Sequence, residues 1–162
     1  MNHPFRILPL LWRAHRPSRI HNMIAVADAF WLRKGYEALT FFGFILVHSK
    51  QEAERINNRM DSLKNHETIH LRQAQSCGDS WIRFYWKYML FWFKARKARH
   101  RIRNAGYLLN PFEMEAYAYM HDLHYLDCQP DGCATGWKRY AQMSLDERIT
   151  LWKQKRHNVA NK

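Results

Sequence analysis

Two histidines and a glutamate in the segment His66-Glu67-Thr68-Ile69-His70 have the types and spacing of half a catalytic zinc site. Residues i and i+4 of an α-helix lie one turn apart on the same face, so His66 and His70 can each offer a ring nitrogen to one ion. Glu67 is turned away from that face and can take a proton from a water on the ion. Zinc lowers the pKa of such a water from about 15.7 to about 7. The segment therefore predicts two zinc ligands and a general base.

A third ligand is needed, because a catalytic zinc site has three protein ligands and one open position. A second predicted helix can supply it. Asn110-Pro111 is a typical helix start, and two acidic residues, Glu113 and Glu115, follow within the first turn. The sequence thus places a carboxylate at the beginning of a later helix, as the HExxH segment requires.

The combination resembles the gluzincin peptidases, in which an HExxH helix is completed by a Glu on a later helix, within the string ExxA followed by Asp. The matching string here is Glu113-Met114-Glu115-Ala116-Tyr117. The resemblance implies that Glu113 is the third zinc ligand and that Glu115 is not. Tyr117 stands where many relatives carry an Asp that orients a ligand histidine. Either another group orients that histidine, or the site binds metal less tightly.

The likeness extends to compact single-domain gluzincins called minigluzincins, and to short bacterial proteins with NHExxHxRQ and FExEAY motifs. Their elements occur here in the same order, over roughly residues 36 to 126: the apolar run Thr40 to Val47, Asn65 to Gln73, the aromatic run Trp81 to Phe93, Arg103-Asn104, and Phe112 to Tyr117. The resemblance implies an α+β, zincin-like fold, mainly helical, with a small sheet or hairpin before the HExxH helix. It also implies one Zn²⁺ ion.

The organisation of the chain follows from its length and composition. With 162 residues and 47% hydrophobic content, it suits a single domain with an apolar core. We expect a basic lead-in over residues 1–25, a single zincin-like domain over 26–156, and a basic tail over 157–162. A hairpin is predicted. Its first strand runs from Phe30 to Leu32, its turn is at Lys34-Gly35, and its second strand runs from Leu39 to His48. In zincins a strand in this place usually hydrogen-bonds the backbone of an extended peptide substrate. The alternative, a purely structural hairpin, stays open, and both can hold.

The elements that position the zinc ligands can also be predicted. Residues 51–60 are polar and form a surface segment that leads into the HExxH helix. That helix runs to Gly78, and Asp79 or Ser80 caps the next helix. The Glu113 helix is predicted over residues 112–126. A capping box, Ser144 to Glu147, begins a short last helix.

The aromatic run Trp81 to Phe93 is apolar nearly all the way round a helix and is followed by the basic segment Lys94 to Arg103. It is shorter than the roughly 20 apolar residues that span a bilayer. Two interpretations stay open. The run is a core helix with a solvated basic end, or it lies in an anionic membrane interface, where each basic residue contributes about 1 kcal/mol.

An oxyanion develops during peptide hydrolysis, and a Tyr or His side chain can stabilise it. The candidates near the Glu113 helix are Tyr107, Tyr117, His121 and His124. The sequence alone does not rank these four residues.

The charge and the cysteine content limit which partners and which cellular compartment the sequence favours. The chain has 26 Lys and Arg against 14 Asp and Glu, a net charge of +12, and an isoelectric point near 9.9. Such a charge favours nucleic acid or an anionic membrane surface as a partner. The three cysteines, Cys77, Cys128 and Cys133, are an odd number without a secretory signal. We therefore expect free thiols and a cytoplasmic protein, which either has no membrane contact or associates peripherally with a membrane through the run from Trp81 to Arg103.

These observations favour a small zinc-dependent metallohydrolase that acts on a peptide or protein substrate. Two alternatives remain. In the first, the HExxH segment is accidental and the chain is a basic nucleic-acid-binding protein whose segment Arg96 to Arg103 contacts phosphates. No nucleic-acid motif accompanies the charge, so this partner is less favoured. In the second, the chain is a degenerate zincin that serves as a binding or membrane-associated module, and Tyr117 is its main support.

Overall fold

A computed structural model of the chain describes residues 16–27, 38–59 and 61–160, with side chains up to Lys155. The predicted α+β class is confirmed. The described elements are β1 Ile24–Val26, β2 Ala38–Phe41, β3 Phe44–Val47, α1 Lys50–Asn58, α2 Ser62–Ser76, α3 Trp81–Arg96, α4 Ala105–Leu108, α5 Pro111–Tyr119, α6 Trp137–Gln142 and α7 Leu145–Ala160. The predicted strand from Phe30 to Leu32, its turn at Lys34-Gly35 and residues 1–15 of the lead-in lie outside the described residues.

The three strands form one sheet in the order β1-β3-β2, with β1 parallel and β2 antiparallel to the central β3. The outer edge of β1 is covered by the Asn57 side chain of α1, which accepts from the Ala25 N–H at 2.8 Å and donates to the Ala25 carbonyl at 3.1 Å. A side chain that pairs with a strand in this way removes a free edge. The β2 strand forms the opposite edge of the sheet.

The predicted single strand from Leu39 to His48 is wrong, because the chain turns back at Phe42 and Gly43 to make the β2–β3 hairpin. Both residues have positive φ, 47° and 89°, the conformation that two-residue hairpin turns require. Phenylalanine rarely adopts it. Here the Phe42 N–H donates to the Tyr85 hydroxyl at 3.0 Å, and its ring packs against Tyr85 and Trp81. Tertiary contacts therefore stabilise a turn that the apolar sequence conceals.

The main core lies between the sheet and helices α1, α2 and α3. The polar segment before the HExxH helix is helix α1, which begins at a capping box made by Ser49 and Glu52 and buries Ile56 against the sheet. Met23 and Ala25 also belong to this core. The predicted boundary between lead-in and domain, at residues 25 and 26, therefore falls within strand β1.

Helix α3 is capped by Ser80, one of the two predicted caps, whose side chain accepts from the Arg83 N–H. Trp81 and Phe84 are buried in the core, whereas the opposite face of the helix is exposed. The helix is thus neither wholly buried nor wholly solvated. In the part of the chain that the structure describes, no helix combines the length and the apolar character needed to cross a membrane.

The Glu113 helix, α5, begins as predicted with the Asn110 side chain accepting from the Phe112 N–H, but it ends at Tyr119 instead of running to residue 126. Asn65 of α2 explains the early end. Its side-chain amide donates to the carbonyls of Tyr119, Met120 and Asp122 at 3.2, 3.0 and 2.9 Å. A neighbouring helix therefore satisfies the terminal carbonyls that a longer α5 would bond itself.

The C-terminal helices α6 and α7 pack against α5 and against the residues that follow α3, respectively. The predicted capping box at Ser144 and Glu147 is confirmed, and the helix that it begins, α7, continues through 16 residues to Ala160. Ile149 packs in a second apolar cluster with the residues that follow α3. The buried Arg148 donates to the Leu109 carbonyl at 2.7 Å, just before α5 begins. These contacts fix where the Glu113 helix starts.

Candidate metal centre

Three buried side chains from two helices converge on one point. His66 and His70 project from α2 with their Nε2 atoms 3.1 Å apart. Glu113, in the first turn of α5, brings Oε2 to 3.3 Å from His66 Nε2 and Oε1 to 3.5 Å from His70 Nε2. Among the described residues, these three form the group of His, Cys, Asp and Glu side chains that could hold a metal ion. The structure thus brings together the three residues that the sequence pointed to.

The separations fit a zinc ion. Tetrahedral zinc with bonds of about 2.0–2.2 Å to nitrogen and oxygen holds its ligand atoms about 3.3–3.5 Å apart. Here the two histidine Nε2 atoms are 3.1 Å apart, and Glu113 Oε2 is 3.3 Å from His66 Nε2. One ligand atom from each of the three residues lies within 4.8 Å of the other two. Glu113 Oε2 is buried and accepts no hydrogen bond from the described residues. A buried carboxylate oxygen without a donor is costly unless a cation faces it. The donor set and its spacing therefore suit a divalent metal.

The charges of the metal-free cluster are strongly coupled. Burial lowers the pKa of His70, but the adjacent Glu113 carboxylate, the Glu67 charge and the hydrogen bond to Gln73 together outweigh it and raise that pKa to about 9. Burial would raise the pKa of Glu113, yet His70 and His66 hold it well below its usual range. Without a metal, a proton on His70 therefore balances the Glu113 charge at neutral pH, and a metal ion would take its place.

Glu67 lies next to the cluster without joining it. Its carboxylate is 4% exposed and accepts a hydrogen bond from the Thr40 hydroxyl of β2. The edge strand therefore fixes the position of this carboxylate beside the ligands. Glu67 lines the same cavity as His66, His70 and Glu113, so its carboxylate borders the space beside the three candidate ligands.

A buried relay orients the second histidine. His70 Nδ1 is 2.7 Å from Gln73 Oε1, and the Gln73 amide donates to the Phe112 carbonyl at 2.9 Å and to Glu115 Oε2 at 2.7 Å. Because both of these partners only accept, the Gln73 oxygen must face His70. The Nδ1 proton of His70 is therefore held by Gln73, and Nε2 is the nitrogen whose proton a metal ion would replace.

Glu115 anchors this relay at a wholly buried position. Its Oε1 accepts from the Tyr125 hydroxyl at 2.6 Å and the Gly136 N–H at 2.7 Å, and its Oε2 accepts from the Trp137 N–H at 3.0 Å as well as from Gln73. Four donors therefore hold one carboxylate. The role of orienting a ligand histidine, which the sequence left open, falls to Gln73 and Glu115.

Tyr117 packs against the first histidine. Its ring lies edge-on to the His66 ring at 4.6 Å, and its hydroxyl is 3.0 Å from that of Tyr107. His66 Nδ1 has no hydrogen-bond partner among the described residues. Where many gluzincins carry an Asp, this chain thus supplies a ring contact, and the two histidines are held by different means.

A cavity of about 340 Å³ opens beside the cluster. Its wall combines the metal-site residues with β2 and the aromatic side of α3. Its lining residues are Ala38, Leu39, Thr40, His66, Glu67, His70, Phe84, Tyr85, Tyr88, Met89, Trp92, Tyr107 and Glu113. Polar groups thus converge at one end of an otherwise largely apolar pocket, as in binding sites generally.

No protein-family model matches the chain, and neither a search of curated proteins nor one of solved structures finds a similar protein. The candidate metal centre is therefore defined by the geometry of this chain alone.

The four oxyanion candidates divide into two pairs. Tyr107 lines the cavity, and burial together with the nearby Glu113 charge raises its pKa far above the ordinary value, so it keeps its proton. Tyr117 contacts His66. His121 and His124 are exposed in the turns after α5, and neither lines the cavity. The early end of α5 separates these two histidines from the metal cluster.

Sequence reasoning missed three groups that contact the predicted site residues: the Thr40 hydroxyl on Glu67, the Gln73–Glu115 relay, and the Tyr88 hydroxyl, which donates to Glu113 Oε1 at 2.7 Å. Gln73 carried a signal, since it lies three residues after His70 on the ligand face of the helix. Thr40 and Tyr88 carried none, because their contacts join residues that are 27 and 25 positions apart.

Proposed function

We propose that the protein is a zinc-dependent hydrolase of the zincin class that cleaves a peptide bond. The observation that carries the proposal is the convergence of His66, His70 and Glu113 at zinc-ligand spacing. The Glu67 carboxylate lines the same cavity. Two imidazoles, one carboxylate and an adjacent base are the set that metal-assisted hydrolysis requires.

A zinc ion held by these three residues would polarise a substrate carbonyl and acidify a water. Each residue of the chain then has a defined task. Gln73 keeps the His70 proton on Nδ1, so that Nε2 is free to bind. The Tyr88 hydroxyl donates to Glu113 Oε1 and restricts that carboxylate. The ligands are thereby positioned before substrate arrives.

Glu67 moves the proton. Its carboxylate accepts from the Thr40 hydroxyl, which limits the orientations that it can adopt. From that position it accepts a proton from the attacking water and passes it to the leaving amine. Tyr107, protonated because burial raises its pKa, donates to the oxyanion that develops on the substrate carbonyl.

The preference for a peptide rests on strand β2. Its residues Ala38, Leu39 and Thr40 line the cavity, and β2 is an edge among the strands that the structure describes. An exposed strand edge binds an extended peptide through main-chain hydrogen bonds. A scissile peptide that lies along β2 would pass the metal site, since Thr40 hydrogen-bonds to Glu67.

The test is cleavage of a mixed peptide library, read by mass spectrometry, with zinc-loaded protein. Glu67→Gln should lower the rate by about 10²–10⁴-fold and leave zinc bound, because it removes the proton acceptor and no ligand. Glu54→Gln is the matched control, since Glu54 is exposed on α1. Cleavage that Glu67→Gln does not slow, or a zinc-loaded protein that cuts no peptide, would contradict the proposal.

A further inference from the structure

One face of helix α3 is exposed and apolar. Its large side chains recur at helical spacing and are between 44% and 73% exposed: Ile82, Trp86, Met89, Leu90 and Phe93. At about 100° per residue they fall within one stripe about 100° wide. Contiguous exposed apolar surface of this kind marks an interaction site on a folded protein. We call it the α3 stripe.

Positive charge borders the α3 stripe and continues beyond it. Residues 80–112 contain eight Lys and Arg and no Asp or Glu. Arg83, Lys94 and Lys97 flank the stripe, and Arg99 follows the helix; all four are exposed. Among the described residues, Arg101 is the one member of this basic group in an ion pair, with Asp146. The described residues thus leave the charge next to the stripe largely uncompensated.

We propose that the α3 stripe and its basic border dock the protein on an anionic membrane surface. An apolar helix face that carries Trp and Phe, flanked by Lys and Arg, is the pattern of a helix that lies in the lipid interface. The apolar residues enter the boundary between headgroups and acyl chains, and the cations meet the lipid phosphates. No helix needs to cross the bilayer for such binding.

Two other occupants fit less well. In a symmetric dimer through this face, two clusters without a single acidic residue would oppose each other, and like charges disfavour that contact. Nucleic acid would suit the cations, but phosphate binding does not need five exposed apolar side chains beside them. A membrane surface that is both apolar and anionic matches both the α3 stripe and its basic border.

Docking would bring the catalytic cavity to the lipid surface. Met89 belongs to the α3 stripe and also lines the cavity, and it is 44% exposed. The cavity therefore reaches the surface at the stripe. The docking surface itself needs no metal and stands without the proposed hydrolysis.

The charge half is tested by co-sedimentation of the full chain with vesicles of phosphatidylglycerol and phosphatidylcholine, and with phosphatidylcholine alone. Binding should require the anionic lipid. The triple variant Lys94→Gln, Lys97→Gln, Arg99→Gln should lower the partition coefficient about a hundredfold, since each cation contributes a factor of about five. The matched control is Lys50→Gln, Arg55→Gln, Arg59→Gln, which removes the same charge from exposed positions in and after α1 and should bind nearly as wild type.

The apolar half is tested by Trp86→Gln with Phe93→Gln, which should weaken binding by about tenfold or more. The control pair is Ile24→Gln with Leu123→Gln, exposed apolar residues away from α3. Circular dichroism verifies that each variant folds. Glu67→Gln should bind vesicles as wild type, so a failure of docking and a failure of hydrolysis can be told apart.

Several results would overturn docking. One is no sedimentation with anionic vesicles. Another is binding that the two α3 variants leave unchanged. A third is a dimer, seen by analytical ultracentrifugation, that depends on Trp86 and Phe93 without vesicle binding. A fourth is binding of a single-stranded oligonucleotide, through the same residues, by a protein that ignores lipid.

Discussion

Glu113 and Glu115 are two buried carboxylates on the same helix with opposite surroundings. Glu115 is satisfied by four donors, two on each oxygen. Glu113 receives one hydrogen bond, from Tyr88, and its Oε2 faces the histidines without a donor. Two residues of sequence therefore separate a carboxylate that holds the fold together from one that is left available for a cation.

The difference shows how burial alone fails to identify a functional group. Both residues are at most 3% exposed. What distinguishes them is the number of donors, because a buried carboxylate without donors costs free energy that only a cation offsets. Glu113 lacks such donors and depends on a cation, which is the protonated His70 in the metal-free protein, and Glu115 stabilises the residues behind it.

The largest expected effect on stability separates the two carboxylates. Glu115→Gln should lower the free energy of unfolding of the metal-free protein by about 3 kcal/mol, because each Glu115 oxygen accepts two hydrogens and an amide nitrogen in either place would face two donors. Glu113→Gln should lower it by less, because His70 can release its proton once the carboxylate is gone, whereas the four donors to Glu115 have no such release. Urea unfolding of both variants is the measurement. Equal losses would show that the two carboxylates do not differ as described.

The relay between them should matter next. Gln73→Ala removes the acceptor of the His70 Nδ1 proton and should weaken zinc binding by about 10–100-fold. Gln75→Ala, two residues along α2, is the control, since its side chain contacts Arg72 and the Asp131 carbonyl and not the site. Competition with a chelator of known affinity measures both. Unchanged zinc affinity in Gln73→Ala would show that the relay through Gln73 and Glu115 does not orient His70.

Zinc affinity should also rise with pH. In the metal-free protein burial lowers the pKa of His70, but Glu113, Glu67 and the hydrogen bond to Gln73 together raise it to about 9, so His70 holds a proton at neutral pH that zinc must displace. We expect the dissociation constant to fall about tenfold per pH unit below that pKa. In metal-free Glu113→Gln the pKa of His70, read by NMR titration, should fall, because the charge that retains the proton is gone. A flat profile in the wild type would contradict this coupling.

The smallest effect concerns the single donor to Glu113. Tyr88→Phe removes the hydrogen bond to Oε1 and should weaken zinc binding by about fivefold, the value of one net hydrogen bond of about 1 kcal/mol. Tyr85→Phe is matched in chemistry and lies on the same helix, but the Tyr85 hydroxyl contacts the backbone of Thr40 and Phe42. Its zinc affinity should not change. Isothermal titration calorimetry measures the zinc affinity of both variants. Equal affinities would show that the Tyr88 hydrogen bond to Glu113 does not contribute to zinc binding.

Local sequence rules predicted the parts of the site that depend on one helix. The i, i+4 spacing placed His66 and His70 on one face, and the Asn110 cap fixed where α5 begins. The parts that join distant elements were missed or misplaced. Asn65 ends α5 from another helix, and Tyr85 stabilises the turn at Phe42. No local pattern records such contacts, because their partners meet only after folding.

The most direct test of the account is the metal content of purified protein, read by elemental mass spectrometry after incubation with zinc. The account predicts about one zinc per chain. Glu113→Ala should lose it, and Glu54→Ala, an exposed glutamate on α1, should keep it. Absence of zinc from the wild type, or equal zinc in Glu113→Ala, would contradict the claim that Glu113 is held ready for a metal ion.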